Sequence, residues 1–193
     1  MNILKDRVLD HASLFSQLNA LFEIAQASEE FFKSLSDVPI EKIKAKKNVE
    51  LQIWKKTRDA LFLKEDRTHL LLSSLCHRLA EEISLAAIET SEFKILPTPE
   101  SILMIQKTKE ATKALLKSLK ASSRKSSAAE ILVSEGLSLE IFQIFKKARL
   151  DALKDKKDVR GLKNSEIALR FSEIADIIEK MTKVVGELIA MES

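Results

Sequence analysis

A seven-residue segment occurs twice in this chain, once in each half. Residues 52–58 read QIWKKTR and residues 143–149 read QIFKKAR, so five of the seven positions are identical and one aromatic replaces another. The copies lie 91 residues apart in a chain of 193 residues, and the DAL that follows the first copy recurs one residue late after the second. Because a long-period repeat is typical of a duplicated structural unit, we interpret the pair as a trace of duplication. Chance similarity among common residues is the alternative.

The composition favours helices over strands. Three Gly and three Pro are too few for a β-protein, which needs turn residues every 8–12 positions or so. A share of 45% apolar and 32% charged residues is typical of amphipathic helices and is too apolar for a disordered chain. The sequence therefore predicts an all-α protein with enough residues to bury a core.

Charge and cysteine usage exclude several classes of function. The net charge of +3 comes from 32 basic and 29 acidic residues, a near balance that argues against a nucleic-acid binder. The single cysteine, Cys76, excludes an intramolecular disulfide and fits a reducing compartment. The first fifteen residues carry charges and no long apolar run, so we expect no signal peptide, and no uncharged stretch is long enough to span a membrane. We expect a cytoplasmic protein.

Apolar residues at steps of three and four predict six helices. Their predicted bounds are Ile3–Leu35, Ile40–Leu63, Asp66–Phe93, Pro99–Leu119, Ala128–Leu153 and Asn164–Met191. Apolar stripes run from Leu72 to Ala86 on helix 3 and from Ile167 to Leu188 on helix 6, whereas the apolar face of helix 2 is thin. That face consists of Ile43, Val49, Ile53, Ala60 and Leu61. Leu96-Pro97-Thr98-Pro99 breaks the chain near its midpoint, with Thr98 as the cap of helix 4. We therefore predict one domain, residues 1–193, in which pseudo-symmetric three-helix repeats (1–96 and 97–193) form a six-helix bundle. The repeated segment lies in the middle helix of each.

Three local features of the sequence need an interpretation. Residues 121–127, ASSRKSS, predict a mobile basic loop, and Gly136 predicts a kink or split in helix 5. The acid pairs Glu29-Glu30 and Glu81-Glu82 are typical of solvated helix surfaces. The first half of helix 2 is crowded with lysines, which are either solvated or a docking patch for an anionic surface. These are Lys42, Lys44, Lys46 and Lys47.

The chain resembles the PhoU-like family, the helical regulators of phosphate uptake, and most closely its short members encoded beside Pit-type phosphate permeases. Besides the two repeats, the resemblance rests on DRTHLLLSSL at residues 66–75 and on the last helix. That helix combines FSEIADIIE at residues 171–179 with VVGELI at residues 184–189, an acidic-apolar pattern with Gly186 near its close. The resemblance covers nearly the whole chain.

Many members of that family bind metal clusters through E-x-x-x-D pairs, whose carboxylates share one helix face. On helix 2 the family's pair falls on Glu50 and Trp54, and on helix 5 it falls on Ile141 and Phe145. An aromatic side chain carries no donor oxygen and brings apolar area, so the same departure occurs in both halves. We therefore expect packing instead of metal at the repeated segment.

The acidic runs of the other two helices are also degenerate. On helix 3 the run falls on Cys76, His77 and Ala80, and on helix 6 it falls on Ser172, Glu173 and Asp176. Weak residual metal candidates are Cys76, His77, Glu173 and Asp176, although adjacent helix positions point about 100° apart. The alternative is that Cys76 is a small buried hydrophobe and His77 a surface residue. We expect no metal and no cofactor.

The sequence contains no Gly-rich phosphate loop and no catalytic motif, so we predict that the protein is not an enzyme. The resemblance implies a regulatory adaptor that binds a protein partner, such as the cytoplasmic face of a phosphate permease. A contact surface is predicted at Lys55, Lys56, Arg58, Lys146, Lys147 and Arg149. One alternative is a metal-binding helical bundle, for storage or catalysis. Another is a homo-oligomer that uses exposed apolar residues such as Phe62, Leu63 and Ile95.

Overall fold

The computed structural model describes the backbone of residues 3–34, 38–64, 66–121, 123–154 and 159–191, and the side chains of residues 12–34, 39–64, 66–121, 123–151 and 163–191. Within these ranges every regular element is an α-helix, which confirms the prediction of an all-α chain with six helices. The helices are α1 (Ile3–Ser34), α2 (Val38–Leu63), α3 (Arg67–Glu92), α4 (Pro99–Lys120), α5 (Arg124–Lys154) and α6 (Val159–Met191).

Local hydrogen bonds fix both sides of the central break. After α3, Lys94 adopts a left-handed conformation with φ 52°, and the Ile95 N–H donates to the Thr90 carbonyl at 3.0 Å. This 6→1 bond is that of a Schellman motif, with Lys94 at the position where glycine is usual. The Thr98 side chain then accepts from the Ser101 N–H at 3.2 Å and caps α4. The break is therefore an ordered connection.

Each half packs its three helices together, and the halves meet through two helix pairs. Helix α1 packs against α2 and α3, α4 packs against α5 and α6, and the halves join through α1 with α4 and α3 with α6. Arg78 pairs with Glu173 and Glu82 with Arg170, so the partner numbers fall as the α3 numbers rise. Helices α3 and α6 are therefore antiparallel. The outer helices α2 and α5 lie in different halves.

One buried cluster draws apolar residues from all six helices. The stripes predicted on α3 and α6 are buried throughout, from Leu72 to Ala86 and from Ile167 to Leu188. Phe32 of α1 and Phe171 of α6 meet edge to face in this cluster, with ring centroids 6.0 Å apart. The core thus continues across the boundary between the halves. In the described part of the chain, no helix is long and apolar enough to cross a membrane.

Three boundary predictions were wrong. Helix α5 begins at Arg124, inside the predicted loop, because Ser123 accepts a hydrogen bond from the Ser126 N–H at 3.2 Å and supplies an N-cap. It continues unbroken past Gly136, whose missing side chain would have met nothing within 4 Å. Helix α6 begins at Val159, before the predicted start at Asn164. The connection at residues 155–158 lies outside the described residues.

The predicted apolar face of α2 was wrong in part. Val49 and Ala60 were placed on it, and both are exposed, whereas Glu50 is buried with 0% of its surface exposed. The buried seam of α2 instead follows steps of four and three through Ile43, Lys47, Glu50, Trp54, Thr57 and Leu61. Polar residues occupy its middle, so a search for apolar side chains alone misplaces the face.

Candidate functional site

The six cations of the predicted contact surface are all exposed. Arg58 lies over the Trp54 ring at 4.9 Å from its centroid, and Arg149 lies over the Phe145 ring at 6.0 Å, so each copy places its Arg on its own aromatic. Arg58 also pairs with Asp59 at 2.8 Å. The four lysines of the segment have no ion pair within the described part of the chain. They are Lys55, Lys56, Lys146 and Lys147.

The lysines in the first half of α2 behave differently, because each pairs with a carboxylate. The pairs are Lys42–Glu30 at 3.8 Å, Lys44–Glu41 at 3.0 Å, Lys46–Glu23 at 2.6 Å and Lys47–Glu81 at 3.7 Å. Exposed pairs of this kind contribute about 1 kcal/mol or less to stability. These lysines are therefore neutralised locally, which favours the solvated reading over the docking patch.

A buried polar network centres on Glu50 in the first half. The Gln17 amide of α1 donates to Glu50 Oε1 at 2.8 Å and to the Ser73 carbonyl at 2.9 Å, and the Ser73 hydroxyl donates to Gln17 Oε1 at 2.8 Å. His77 Nδ1 lies 2.8 Å from Glu50 Oε2. Both Glu50 oxygens are therefore partnered, as a buried carboxylate requires. The network ties α1, α2 and α3 together.

Trp54 closes the network on its solvent side. Its ring stacks on His77 with centroids 4.0 Å apart and planes 9° from parallel, and Arg58 covers the other face. His77 is half-buried by this stack, so its interpretation as a surface residue was wrong. The layered arrangement of Arg58, Trp54, His77 and Glu50 excludes solvent from the Glu50 carboxylate, which is fully buried.

The second half has apolar residues at the equivalent places. Ile141, 91 residues after Glu50, is fully buried, and Phe145, 91 residues after Trp54, is buried as well. Ser172 of α6 lines the space beside Phe145, where the first half has His77 beside Trp54. A serine fills much less of that space than a stacked imidazole, so a groove remains between α5 and α6.

That groove, here the α5–α6 groove, consists of two adjoining cavities of about 610 Å³ and 430 Å³. Both are lined by Phe142 and Ser172, so they are continuous. The first is lined as well by Phe145, Lys146, Arg149, Leu150 and Leu169, and the second by Ser138, Leu139, Glu173, Ala175, Asp176 and Glu179. Sequence reasoning found the cations of this site but missed its apolar floor.

Two of the metal candidates lie on the core side of α3. Cys76 is fully buried, and its burial, with a smaller contribution from the charge of Glu50, raises the pKa of the thiol well above its usual value. A thiol held protonated in this way is a poor metal ligand and nucleophile. His77 is bound to Glu50 and stacked on Trp54.

The other two candidates are engaged in exposed ion pairs. Glu173 accepts a hydrogen bond from Arg78 at 3.0 Å, and Asp176 accepts one from Lys180 at 2.6 Å. Within the described residues, no three His, Cys, Asp or Glu side chains are grouped so that they could hold a metal ion. The structure therefore does not bring Cys76, His77, Glu173 and Asp176 together.

Charged contacts join the halves at both of their interfaces. Arg170 of α6 donates to Glu89 at 2.7 Å and to Glu82 at 3.1 Å, and the hydrogen bond to Glu89 is the largest cause that raises the pKa of its guanidinium. Glu29 of α1 is buried between Lys109 of α4 and Lys33. The prediction that both acid pairs are solvated was wrong for Glu29 and Glu82, since each bridges the two halves.

A small cavity lies under the connection between the halves. It measures about 180 Å³, with Phe32, Met104 and Ile167 among its apolar lining and Glu100 at its edge. Sites for drug-sized ligands are usually about 300 Å³ or larger. This cavity is therefore a weaker candidate than the α5–α6 groove. Ile95, expected to be exposed, packs here against the core, whereas Phe62 and Leu63 are exposed.

No protein-family model matches the chain, and no curated protein matches it.

Proposed function

We propose that the protein is a non-catalytic regulatory adaptor of the PhoU type, built from two duplicated three-helix units. It acts through its helix surfaces on a transporter or signalling partner, such as the cytoplasmic face of a phosphate permease. The observation that carries the proposal is the repeated segment on the two outer helices. In both copies an arginine lies over the aromatic of the segment, which is half-buried at Trp54 and buried at Phe145. Two lysines in each copy are exposed and have no ion pair among the described residues.

The packing of the helices supports a duplicated arrangement. Within each half the first helix packs on the second and third, and the halves join first helix to first helix and third to third. A two-fold relation between equivalent units would produce such a set of contacts. The middle helices α2 and α5 then lie at opposite edges of the bundle, and each presents its own cationic segment.

The chemistry of the surfaces favours binding over catalysis. Two acid–imidazole pairs occur in the described part of the chain, Glu50–His77 and Asp66–His69. The Asp66 carboxylate caps α3, and the Glu50 carboxylate is fully buried beneath the Trp54–His77 stack. A general base must reach a substrate directly or through one water, which this enclosure prevents. The exposed lysines of the repeated segment, by contrast, are available to an anionic partner.

Phosphate uptake tests the proposed function. Uptake of labelled phosphate is measured in cells that lack the gene and in the same cells complemented with the wild-type chain. Deletion should change the uptake rate and complementation should restore it. The variants Lys55→Glu/Lys56→Glu and Lys146→Glu/Lys147→Glu should accumulate to normal levels and restore it less. Unchanged uptake after deletion would contradict the proposal.

Metal content separates this proposal from a metal-binding bundle. We expect purified protein to hold less than one transition metal per chain, because the family's acidic pairs are replaced by Trp54 and Phe145 at the repeated segment. Elemental analysis of the sample used for partner capture provides the measurement. One or more tightly held metals per chain would favour the metal-binding alternative.

A further inference from the structure

We propose that the α5–α6 groove binds an amphipathic helix of a partner protein, with acidic residues of that helix lying over Lys146 and Arg149. The inference rests on the proposed adaptor function, because it names the surface through which a partner is held. It concerns one half of the molecule, since in the first half His77 fills the place beside the aromatic that Ser172 leaves open in the second. The first half has a cavity of about 510 Å³ nearby, but it is lined by Arg58, Asp59, Phe62 and Leu63 and not by the Trp54–His77 stack.

The floor of the groove matches the apolar face of a helix. Leu139, Phe142, Leu150 and Leu169 are between 38% and 62% exposed, and Phe145 is buried beneath them. Leu139, Phe142, Phe145 and Leu150 follow steps of three, three and five along α5 and span about 16 Å at 1.5 Å per residue. This length corresponds to about three turns of a bound helix, whose anchors recur at i, i+3, i+4 and i+7.

The charges along the groove give it a direction. At one end, Lys146 lies over the Phe142 ring at 4.5 Å and Arg149 over Phe145, and neither has an ion pair within the described part of the chain. At the other end, Asp176 and Glu179 line the groove. Those acids are already paired with Lys180 and Lys183, each at 2.6 Å. Lys146 and Arg149 are therefore the charges of the groove that a partner can pair with. A bound helix should carry Asp or Glu at the end that lies over them.

The acidic edge argues against a membrane as the occupant. An anionic lipid surface would be attracted by Lys146 and Arg149 at one end only, because at the other end each acid is balanced by one paired cation and leaves no net positive charge. A peptide can place its acids at one end only, so it meets both edges without repulsion.

The first half shows what closes such a groove. There the Trp54 ring stacks on His77 at 4.0 Å, and the neighbouring surface cavity is lined only by Arg58, Asp59, Phe62 and Leu63. In the second half Ser172 takes the place beside the aromatic and leaves the floor accessible. A bulky residue at position 172 should therefore fill the groove beside Phe145.

A selection experiment tests the inference without any assay of phosphate uptake, so its outcome is independent of that test. A displayed library of helices of about 14 residues, close to 21 Å long, carries fixed leucines on one face and randomised flanking positions. It is selected on the wild-type full-length chain. Enriched helices should carry Asp or Glu at one end. Their affinity should fall about tenfold or more for Lys146→Glu/Arg149→Glu and for Ser172→Phe.

The control variant Lys113→Glu/Lys125→Glu makes the same change in net charge at two exposed lysines outside the groove and should retain the affinity. Circular dichroism and thermal unfolding of every variant show that the fold is kept. No enrichment, or enriched helices without an acidic bias, would overturn the inference. A loss of affinity in Lys55→Glu/Lys56→Glu, with none in Lys146→Glu/Arg149→Glu, would also overturn it. The same holds if phosphatidylserine vesicles compete with the selected helices, or if the chain forms a dimer that Ser172→Phe dissociates.

Discussion

The two outer helices carry the same buried seam but fill it with different chemistry. The seam positions on α2 and those 91 residues later on α5 are all buried or half-buried. The pairs are Ile43 and Ser134, Lys47 and Ser138, Glu50 and Ile141, Trp54 and Phe145, and Thr57 and Ala148. At the centre, the first half has a carboxylate with two hydrogen-bond partners, Gln17 and His77, and the second has an isoleucine in the core. Helix periodicity sets which positions are buried, and side-chain chemistry sets what they do.

The two seams differ in what they need to be stable and in what covers them at the surface. A buried carboxylate is tolerated only while its partners are present, so Glu50 depends on Gln17 and His77. Ile141 needs no partner and gains from burial alone. On the surface the polar half is closed by the Trp54–His77 stack, while the apolar half keeps a groove beside Phe145.

The largest expected effect on stability comes from a carboxylate placed on α5 at the position that corresponds to Glu50 on α2. Ile141→Glu places a charge in a fully buried apolar position without partners, and we expect it to lower the free energy of unfolding by about 4 kcal/mol. Urea denaturation at neutral pH provides the measurement. Gln143→Glu, exposed on the same helix, is the control and should change stability little. A loss as small as that of the control would show that the two seams are interchangeable.

The next effect tests whether Glu50 and Gln17 act as a unit. Gln17→Leu removes the donor to Glu50 Oε1 and should cost about 3 kcal/mol, because the carboxylate stays buried and loses a partner. Glu50→Leu combined with Gln17→Leu removes the charge as well and should cost less than the sum of the single changes. Chemical denaturation of all four proteins completes the cycle. Strict additivity would contradict the proposed network.

Much of the fold could be predicted from the sequence, because the predicted stripes of α3 and α6 are apolar at nearly every buried position. Helix ends depended on capping side chains and were less predictable. The sequence predicts the Thr98 cap, since Pro99 and Glu100 follow it, but the Ser123 cap lies in a stretch whose composition predicts a loop. The average helix propensity of ASSRKSS gives no sign of the single hydrogen bond, from the Ser126 N–H to the Ser123 side chain, with which α5 begins.

The site was harder to predict because its key contacts cross between helices. Gln17, Glu50 and His77 are 33 and 27 residues apart along the chain, and nothing local marks them as partners. The sequence does indicate that Glu50 is buried, because steps of four and three residues along α2 place it on the same seam as Ile43 and Thr57. A seam traced by position, whatever the polarity of its residues, would have found a buried acid in need of partners.

A smaller effect should follow from opening the first half. His77→Ser removes the ring that stacks on Trp54 and the partner of Glu50 Oε2, and we expect a loss of about 1.5 kcal/mol. Trp54 is the single tryptophan, so its fluorescence reports the change directly. Its emission should shift to longer wavelength and acrylamide should quench it more strongly. His69→Ser near the start of the same helix is the control, and an identical emission change there would contradict the role given to the stack.

The smallest expected effect concerns a contact between the halves, away from both seams. Burial alone would raise the pKa of Glu29, but hydrogen bonds from Lys109 and Lys33 outweigh it and hold the pKa below the usual value of 4.5. A carboxyl with a lowered folded-state pKa stabilises the protein above its unfolded-state pKa, and this contribution is lost as the pH falls through the folded-state value. Glu29→Gln should therefore cost about 1 kcal/mol at neutral pH.

The pH dependence of that cost tests the assignment. Below pH 4.5 the difference in unfolding free energy between wild type and Glu29→Gln should shrink, since Glu29 becomes neutral in both folded and unfolded chains. Glu30→Gln, at the exposed neighbour, is the matched control and should show little difference at any pH. A Glu29→Gln difference that persists unchanged at about pH 2, well below the usual Glu pKa, would mean that packing of Glu29 at the interface, and not its charge, joins α1 to α4.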